Sequence, residues 1–288
     1  MPSRVRHTYS LRQRRGGPSS KFGPNLDFAL RLAARITRTV RPLLGKRRSS
    51  DRISLGGGPR KMRLDAEAAK AVRSGLEESG ISCHLISEEW GCLDFGKDPK
   101  SYLIVDEFDG TFNGTRGIPF SAVSIAISDN PRLKDVHTGV VIDMFQDVTY
   151  YAVKNQGAYR DGRRIRAFQR RNLDDCIISI KMASSPRETI DRVGRLLLKT
   201  SHGRDFGAAA LELSLIASGQ LDALVDTCTK TRVTDVAAGF LLVNEAGGKF
   251  RILNESLKDP PLKPDERLSF VAASGPQILD QVVNLIES

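Results

Sequence analysis

Val105-Asp106-Glu107-Phe108-Asp109-Gly110-Thr111-Phe112-Asn113 follows the apolar run Tyr102-Leu103-Ile104 and carries its polar groups where a buried strand would run out. Asp106 and Asp109 stand three apart across that strand end, so both carboxylates can turn toward one point. Like charges converge in this way when a cation lies between them, and oxygen donors select a hard one, Mg²⁺ or Mn²⁺. Gly110 lets the backbone approach a ligand, and Thr111 offers a hydroxyl where a new helix can begin, with free N–H groups that attract an anion. Taken alone the stretch also reads as a turn, since Asp-Gly is an ordinary turn dipeptide. The rest of the chain decides between the two.

With 288 residues, 40% hydrophobic and 27% charged, there is room for one large domain or two smaller ones. No run has the length of a membrane span, and the arginine-rich front lacks the apolar core of a signal peptide, which places the protein in the cytoplasm. Cys83, Cys92, Cys176 and Cys228 form no C-x-x-C pair and have no histidine at zinc-ligand spacing, so they read as core thiols. The net charge of +10 divides unevenly: residues 1–63 hold 17 Lys+Arg against 2 Asp+Glu, leaving 27 of the 44 basic and 32 of the 34 acidic residues beyond. The folded body is mildly acidic, and the overall basicity is no argument that it binds nucleic acid.

Residues 1–25 mix Arg, Ser, Gly and Pro without periodicity, the composition of a disordered basic arm and the one part of the chain suited to RNA or acidic lipid. Leu26, Leu30, Ala33, Ile36, Val40 and Leu43 then mark an amphipathic helix frayed at Pro42. Residues 46–60, with three glycines and Pro59, read as a loop. A helix over 62–78, a strand over 83–87 ending in Glu88-Glu89, the Asp106 strand, a strand over 120–128 and two or three strands within 136–159 follow, closed by a hairpin at Asp161-Gly162. Beyond lie strands over 177–182, 221–225 and 269–273, and helices over 187–198, 208–218, 236–245 and 276–286, the third stopped by Gly247-Gly248. Hairpin-like links outnumber clean βαβ units, which predicts an α+β fold of stacked sheets and helices.

Glu88 after one strand, Asp106 and Asp109 after another, and Asp235 opening a helix each have an ordinary explanation as a solvated strand end or a helix cap. Together they read differently. Ser87-Glu88-Glu89, the Asp106 to Asn113 stretch, Thr234-Asp235-Val236-Ala237-Ala238-Gly239 and Glu245-Ala246-Gly247-Gly248, in that order, resemble the superfamily of Mg²⁺-dependent phosphatases that contains inositol monophosphatase and fructose-1,6-bisphosphatase. The resemblance covers residues 26–287 and implies that family's layered αβαβα sandwich. An N-terminal α+β half over 26–170 would carry most of the metal ligands, and a C-terminal α/β half over 171–288 would supply Asp235 and the substrate pocket. It further implies that Glu88, Asp106, the Phe108 carbonyl, Asp109 and Asp235 hold two or three Mg²⁺ or Mn²⁺ ions, and that the Gly110 and Thr111 N–H groups hold the phosphate. Thr111, Glu88 and Asp65 would form the catalytic set, with Thr111 orienting a water that displaces the alcohol in line and Asp65 as its basic partner. Two positions depart from the family pattern: Glu107 replaces the usual proline, and Ala69 stands where many relatives have a glutamate.

For the substrate, the resemblance points to Asp226 for sugar hydroxyls and to Arg204, Lys230 and Arg232 for a second phosphate, a spacing more like archaeal members that accept both inositol phosphate and fructose bisphosphate. Ser179 and Ala209 match pocket-lining positions. The expected activity is a Mg²⁺-dependent phosphomonoesterase acting on small sugar or polyol phosphates, in a homodimer as is common in the family. One alternative is a 3′(2′),5′-bisphosphate nucleotide phosphatase. Another, from a different class, is a nucleic-acid-binding protein working through the arm, although its aromatics Tyr9 and Phe22 are too sparse for a stacking platform.

Overall fold

The computed structural model of the protein describes residues 22–55, 60–182, 187–254 and 257–287. The expected arm therefore lies outside the described residues as far as residue 21. Phe22 does not belong to a free arm: its ring packs 5.9 Å from Tyr151 and 5.0 Å from Tyr159, centroid to centroid.

Helix α1 (Pro24–Val40) forms because Leu26, Ala29, Ala33, Ile36 and Val40 make one fully buried stripe. Proline suits its first turn, where the missing N–H costs nothing. It passes into a 3₁₀ turn, Arg41–Leu43, because Pro42 cannot continue the bonding. The expected loop after it contains a short antiparallel hairpin, β1 (Arg52–Ser54) with β2 (Arg60–Met62), too brief and too exposed to show alternation in sequence. Helix α2 (Arg63–Ser79) follows and stops at Gly80 with φ 65.

The first sheet is built from β3 (Cys83–Ser87), β4 (Gly91–Phe95), β5 (Tyr102–Asp109), and, after the short helix α3 (Thr111–Arg116), β6 (Ala122–Ser128), β7 (Val136–Asp143), β8 (Thr149–Val153), β9 (Gly157–Arg160) and β10 (Arg163–Ile165). Their order is β10-β9-β8-β7-β6-β5-β3-β4, antiparallel except for the β3–β5 pair. The β9–β10 link is the expected two-residue hairpin, with φ 48 at Asp161 and φ 80 at Gly162, as such turns require. The second sheet comes from β11 (Ile177–Lys181), then α4 (Arg187–Lys199), β12 (His202–Arg204), α5 (Ala209–Ala217), β13 (Ala223–Arg232), α6 (Val233–Glu245), β14 (Lys249–Ile252), β15 (Arg267–Ala273) and α7 (Pro276–Glu287). Its order is β12-β11-β13-β15-β14, with β11 parallel to both neighbours.

Side-chain alternation sorts these elements into five layers. Leu103, Val105, Ile125 and Tyr151 leave the first sheet on the side of α1 and α2. From its other face Ile104, Ala126, Val141 and Tyr150 pack on α5 and α6, which Leu224, Phe270 and Ala272 of the second sheet cover from the opposite side. Val225 and Val271 point outward to α4 and α7. The result is the expected αβαβα sandwich in an α+β fold. Helix α6 sits tight in the middle: a Cβ at Gly139 of β7 would lie 3.0 Å from the Ala238 carbonyl oxygen, and one at Gly239 only 2.5 Å from Leu213 of α5.

Besides β1 and β2, three strands escaped the sequence reading, β4, β12 and β14, all at sheet edges with exposed residues. Cys92 lies exposed on β4, so it is not a core thiol; Cys83 and Cys176 are buried, Cys228 is half-buried, and none of the four is in a disulfide. Strand β13 runs well past the apolar 221–225 stretch, through a bulge between Asp226 and Thr231. Among the described residues no helix is long and apolar enough to cross a membrane.

Candidate metal and phosphate site

The site starts from an irregularity in β5. Asp106 pairs with Ser124 and Asp109 with Ala122, so three steps on β5 match two on β6. Such a bulge re-aims side chains at a strand end. Inside it Asp106 accepts the Phe108 N–H at 3.0 Å, while the Phe108 ring enters the α1–α2 core. Gly110 has φ 87, and a Cβ there would lie 3.0 Å from the Phe120 carbonyl oxygen and 3.1 Å from Ser121 Oγ, so only glycine fits. Thr111 opens α3, and its hydroxyl is 2.9 Å from Asp65 Oδ1, in the first turn of α2, and 3.3 Å from the Phe108 carbonyl oxygen. The expected Thr111–Asp65 partnership is thus present in the geometry.

Three elements then converge. Glu88 from the turn after β3, Asp106 from β5 and Asp235 from the first turn of α6 each bring one carboxylate oxygen within 4.8 Å of the others. Asp109 is drawn slightly aside, its Oδ2 accepting the Ala210 N–H at 2.7 Å from the start of α5. Burial raises the proton affinity of all four, and repulsion from Asp235 adds to it at Glu88, Asp106 and Asp109. Glu88 is pushed up to about 7, first by burial and then by Asp235, with Arg232 opposing. Asp65 is also pushed up to about 7, mainly by burial, against the hydrogen bond from Thr111. A buried set of oxygen donors with so little matching positive charge fits a hard divalent cation.

Around this centre the other expected residues divide. Arg232 is engaged with the acids: its guanidinium pairs with Glu88, and its N–H donates to Asp235 Oδ2 at 3.0 Å. Asp226 is fully buried, and its carboxylate takes the Cys228 N–H, the Thr231 N–H and the Thr231 hydroxyl. Three donors from its own bulge thus hold its carboxylate in that loop. Arg204 and Lys230 are exposed, the first donating to the Gly203 carbonyl at 2.8 Å. Ser179 is buried and donates to Glu212, so it does not line an open pocket.

Sequence reasoning missed Lys181 and Glu212. Glu212 is fully buried in α5, 3.5 Å from the Lys181 ammonium at the end of β11. Asp109 and Asp235, with Glu212, raise the Lys181 proton affinity, and Lys181 is the foremost influence lowering that of Asp109. The signal was available: a glutamate inside an apolar helix and a lysine closing an apolar strand imply a buried pair. Glu107 is fully buried too, pushed up to about 8 by burial, and bonded to Ser87. A cavity of about 840 Å³ lined by Phe28, Arg31, Arg35, Arg38 and Arg41 lies along α1 and includes none of these carboxylates.

Known proteins resemble the chain along most of its length. The model of the inositol monophosphatase family matches residues 27–287. A fructose-1,6-bisphosphatase/inositol-1-monophosphatase of Methanothermobacter thermautotrophicus is 31% identical over 270 residues, 90% of this chain and 95% of that protein. A bifunctional NADP phosphatase/NAD kinase of Methanococcus maripaludis is 34% identical over 77% of this chain, which spans 42% of it. Among solved structures, an inositol monophosphatase-fructose 1,6 bisphosphatase superposes with a TM-score of 0.78 at 26% identity, over 90% of this chain and 98% of the other. Kinship with phosphatases that depend on metal accounts for carboxylates being buried together at such electrostatic cost, and the chain belongs to the inositol monophosphatase family.

Proposed function

We propose that the protein is a Mg²⁺-dependent phosphomonoesterase acting on small sugar or polyol phosphates. The observation that carries this reading is the meeting of Glu88, Asp106 and Asp235 within 4.8 Å, with Asp109 and the Thr111–Asp65 pair beside them. Bound Mg²⁺ would neutralise phosphate oxygens and make water more acidic. The four carboxylates and the Phe108 carbonyl would hold it. The Gly110 and Thr111 N–H groups, where α3 begins, would donate to the phosphate. Thr111 gives its proton to Asp65 and keeps its lone pairs for a water, which it aims at phosphorus. Asp65, with its raised proton affinity, is matched to accept a proton near neutral pH. Arg204 and Lys230, exposed near the β12 and β13 ends, are the cations offered to a second phosphate.

A second reading, a nucleotide phosphate as substrate, is favoured by the identity to the NADP phosphatase/NAD kinase and by Phe112, which follows Thr111 with 64% of its surface exposed and offers a ring to a base. The test is phosphate release from inositol-1-phosphate, fructose-1,6-bisphosphate, phosphoadenosine phosphate and NADP, each with Mg²⁺ and with EDTA. Metal-dependent release from the sugar phosphates supports the first reading, release from the nucleotides alone supports the second, and no release from any refutes both.

A further inference from the structure

Glu107 lies between two residues of the acidic site, yet alternation along β5 turns it with Val105 toward the α2 side, away from Asp106. It meets Ser87, which ends β3 beside Val105. The Ser87 hydroxyl donates to Glu107 and accepts the Glu89 N–H at 3.0 Å and the Trp90 N–H at 2.8 Å. A hydroxyl has one proton and two lone pairs. With the proton drawn to Glu107, both lone pairs are left for those amides, and the amides close the turn that carries Glu88. The remaining ties run the same way. The Glu88 N–H reaches the Val105 carbonyl at 3.2 Å, Lys61 holds Glu89 through its carboxylate at 2.6 Å and its carbonyl at 2.8 Å, and Trp90 Nε1 donates to the Ala69 carbonyl at 2.8 Å. Glu107 Oε2 is buried with no hydrogen bond among the described residues, so Ser87 is the side chain that anchors this carboxyl group.

We propose that Glu107 is a positioning residue for metal binding: by fixing the Ser87 hydroxyl it sets the turn that aims Glu88 at Asp106 and Asp235. The inference rests on the metal site of the functional reading. It assigns a role to a group that touches neither metal nor substrate. Groups hydrogen-bonded directly to metal ligands are worth about 10–100-fold in metal affinity, and Glu107, which acts through Ser87 and the turn, belongs at the lower end of that range.

The experiment is calorimetric titration of the metal-free full-length protein with Mg²⁺ and Mn²⁺. Glu107→Leu and Ser87→Ala should each weaken binding by about 10-fold or more, and the double variant by no more than the worse of the two. Glu107→Gln keeps an acceptor oxygen for the Ser87 hydroxyl, and should stay within about threefold of the wild type. At saturating metal, the Leu variant should regain its kcat and keep an ordinary substrate KM, while its metal requirement stays raised. A merely structural role would lower the melting temperature and leave the metal Kd alone. If Glu107→Leu does not fold, Ser87→Ala carries the comparison. Wild-type binding matched by Glu107→Leu, or a Gln variant as weak as Leu, overturns the inference; a wild-type protein that takes up neither metal overturns the functional reading beneath it.

Discussion

Replacing Lys181 by methionine should destabilise the metal-free fold and tighten metal binding, two effects of opposite sign from one charge. Glu212 is fully buried, and its Oε2 makes no hydrogen bond among the described residues; its countercharge is the Lys181 ammonium at 3.5 Å. Removing one partner of a buried ion pair costs about 3–5 kcal/mol. The Lys181 side chain keeps 21% of its surface exposed, and the pair is a contact without a hydrogen bond, which favours the lower end, about 3 kcal/mol. For a chain of this size that is a fall of roughly 6–12 °C in Tm. Glu212 can escape by taking a proton, since burial already raises its proton affinity and Lys181 opposes that rise. The deficit should therefore be full at alkaline pH and shrink on acidification, as the folded variant binds the proton more tightly than the unfolded chain does. Urea denaturation of wild type, Lys181→Met, Glu212→Gln and the double variant, all without metal, measures the pair. A double variant more stable than Lys181→Met alone is expected. Losses that simply add, to within about 0.5 kcal/mol, would refute the pairing argument. The metal arm follows from Lys181 being the foremost group lowering the proton affinity of Asp109, so its loss leaves more negative charge for the cation. Weaker Mg²⁺ binding in the variant would contradict that.

Other outcomes test the site from different sides. Asp106→Asn should abolish metal-dependent turnover while the circular dichroism spectrum stays native, because it removes a charge that its neighbours repel; phosphate release within about tenfold of the wild type would break the ligand assignment. Without metal, stability should decline as pH rises. Asp65 and Glu88 are raised to about 7 and Glu107 to about 8, so the folded state holds protons the unfolded chain gives up, and their contribution is complete below the ordinary carboxyl range and lost through these values. Melting at about pH 5 and about pH 8.5, with EDTA and with Mg²⁺, checks this, and Mg²⁺ should restore most of the loss at the alkaline end. Asp226→Ala strands three donors of its own loop and should cost about 2–4 kcal/mol, with kcat/KM per folded molecule changed equally for mono- and bisphosphorylated substrates. A selective rise in KM for one substrate would restore Asp226 as a contact.

What the sequence made legible follows from where each signal was encoded. The layered fold could be read because α1 and α2 carry one-sided apolar stripes, while β5, β6 and β7 are apolar on both faces, as sheets covered on both sides must be. Strands β4, β12 and β14 left no such trace, because exposed edge residues are free to be polar. The convergence of Glu88, Asp106 and Asp235 was legible because each sits at a strand end or helix start, where a carboxylate is locally unusual. For Asp226 and Arg232 the sequence did not name the protein partners, for a shared reason: charge and spacing reveal that a group needs a partner, but a bulge and a crossing between sheets decided which one. Lys181 with Glu212, and Ser87 with Glu107, are partners far apart in sequence that only the packed layers bring together.

The strand order of the second sheet also bears on how the protein is made. Strand β15 lies between β13 and β14, although both precede it in the chain. Until residues 267–273 have left the ribosome, β13 and β14 lack their shared neighbour, and Phe270 and Ala272 are missing from the face that covers α5 and α6. Helix α6, which carries Asp235, thus has one of its two walls incomplete until then, while Glu88 and Asp106 are already emerged on the first sheet. A nascent chain can gather part of the acidic centre early, but the sheet that backs the helix carrying Asp235 closes only when β15 has taken its place between two strands made before it.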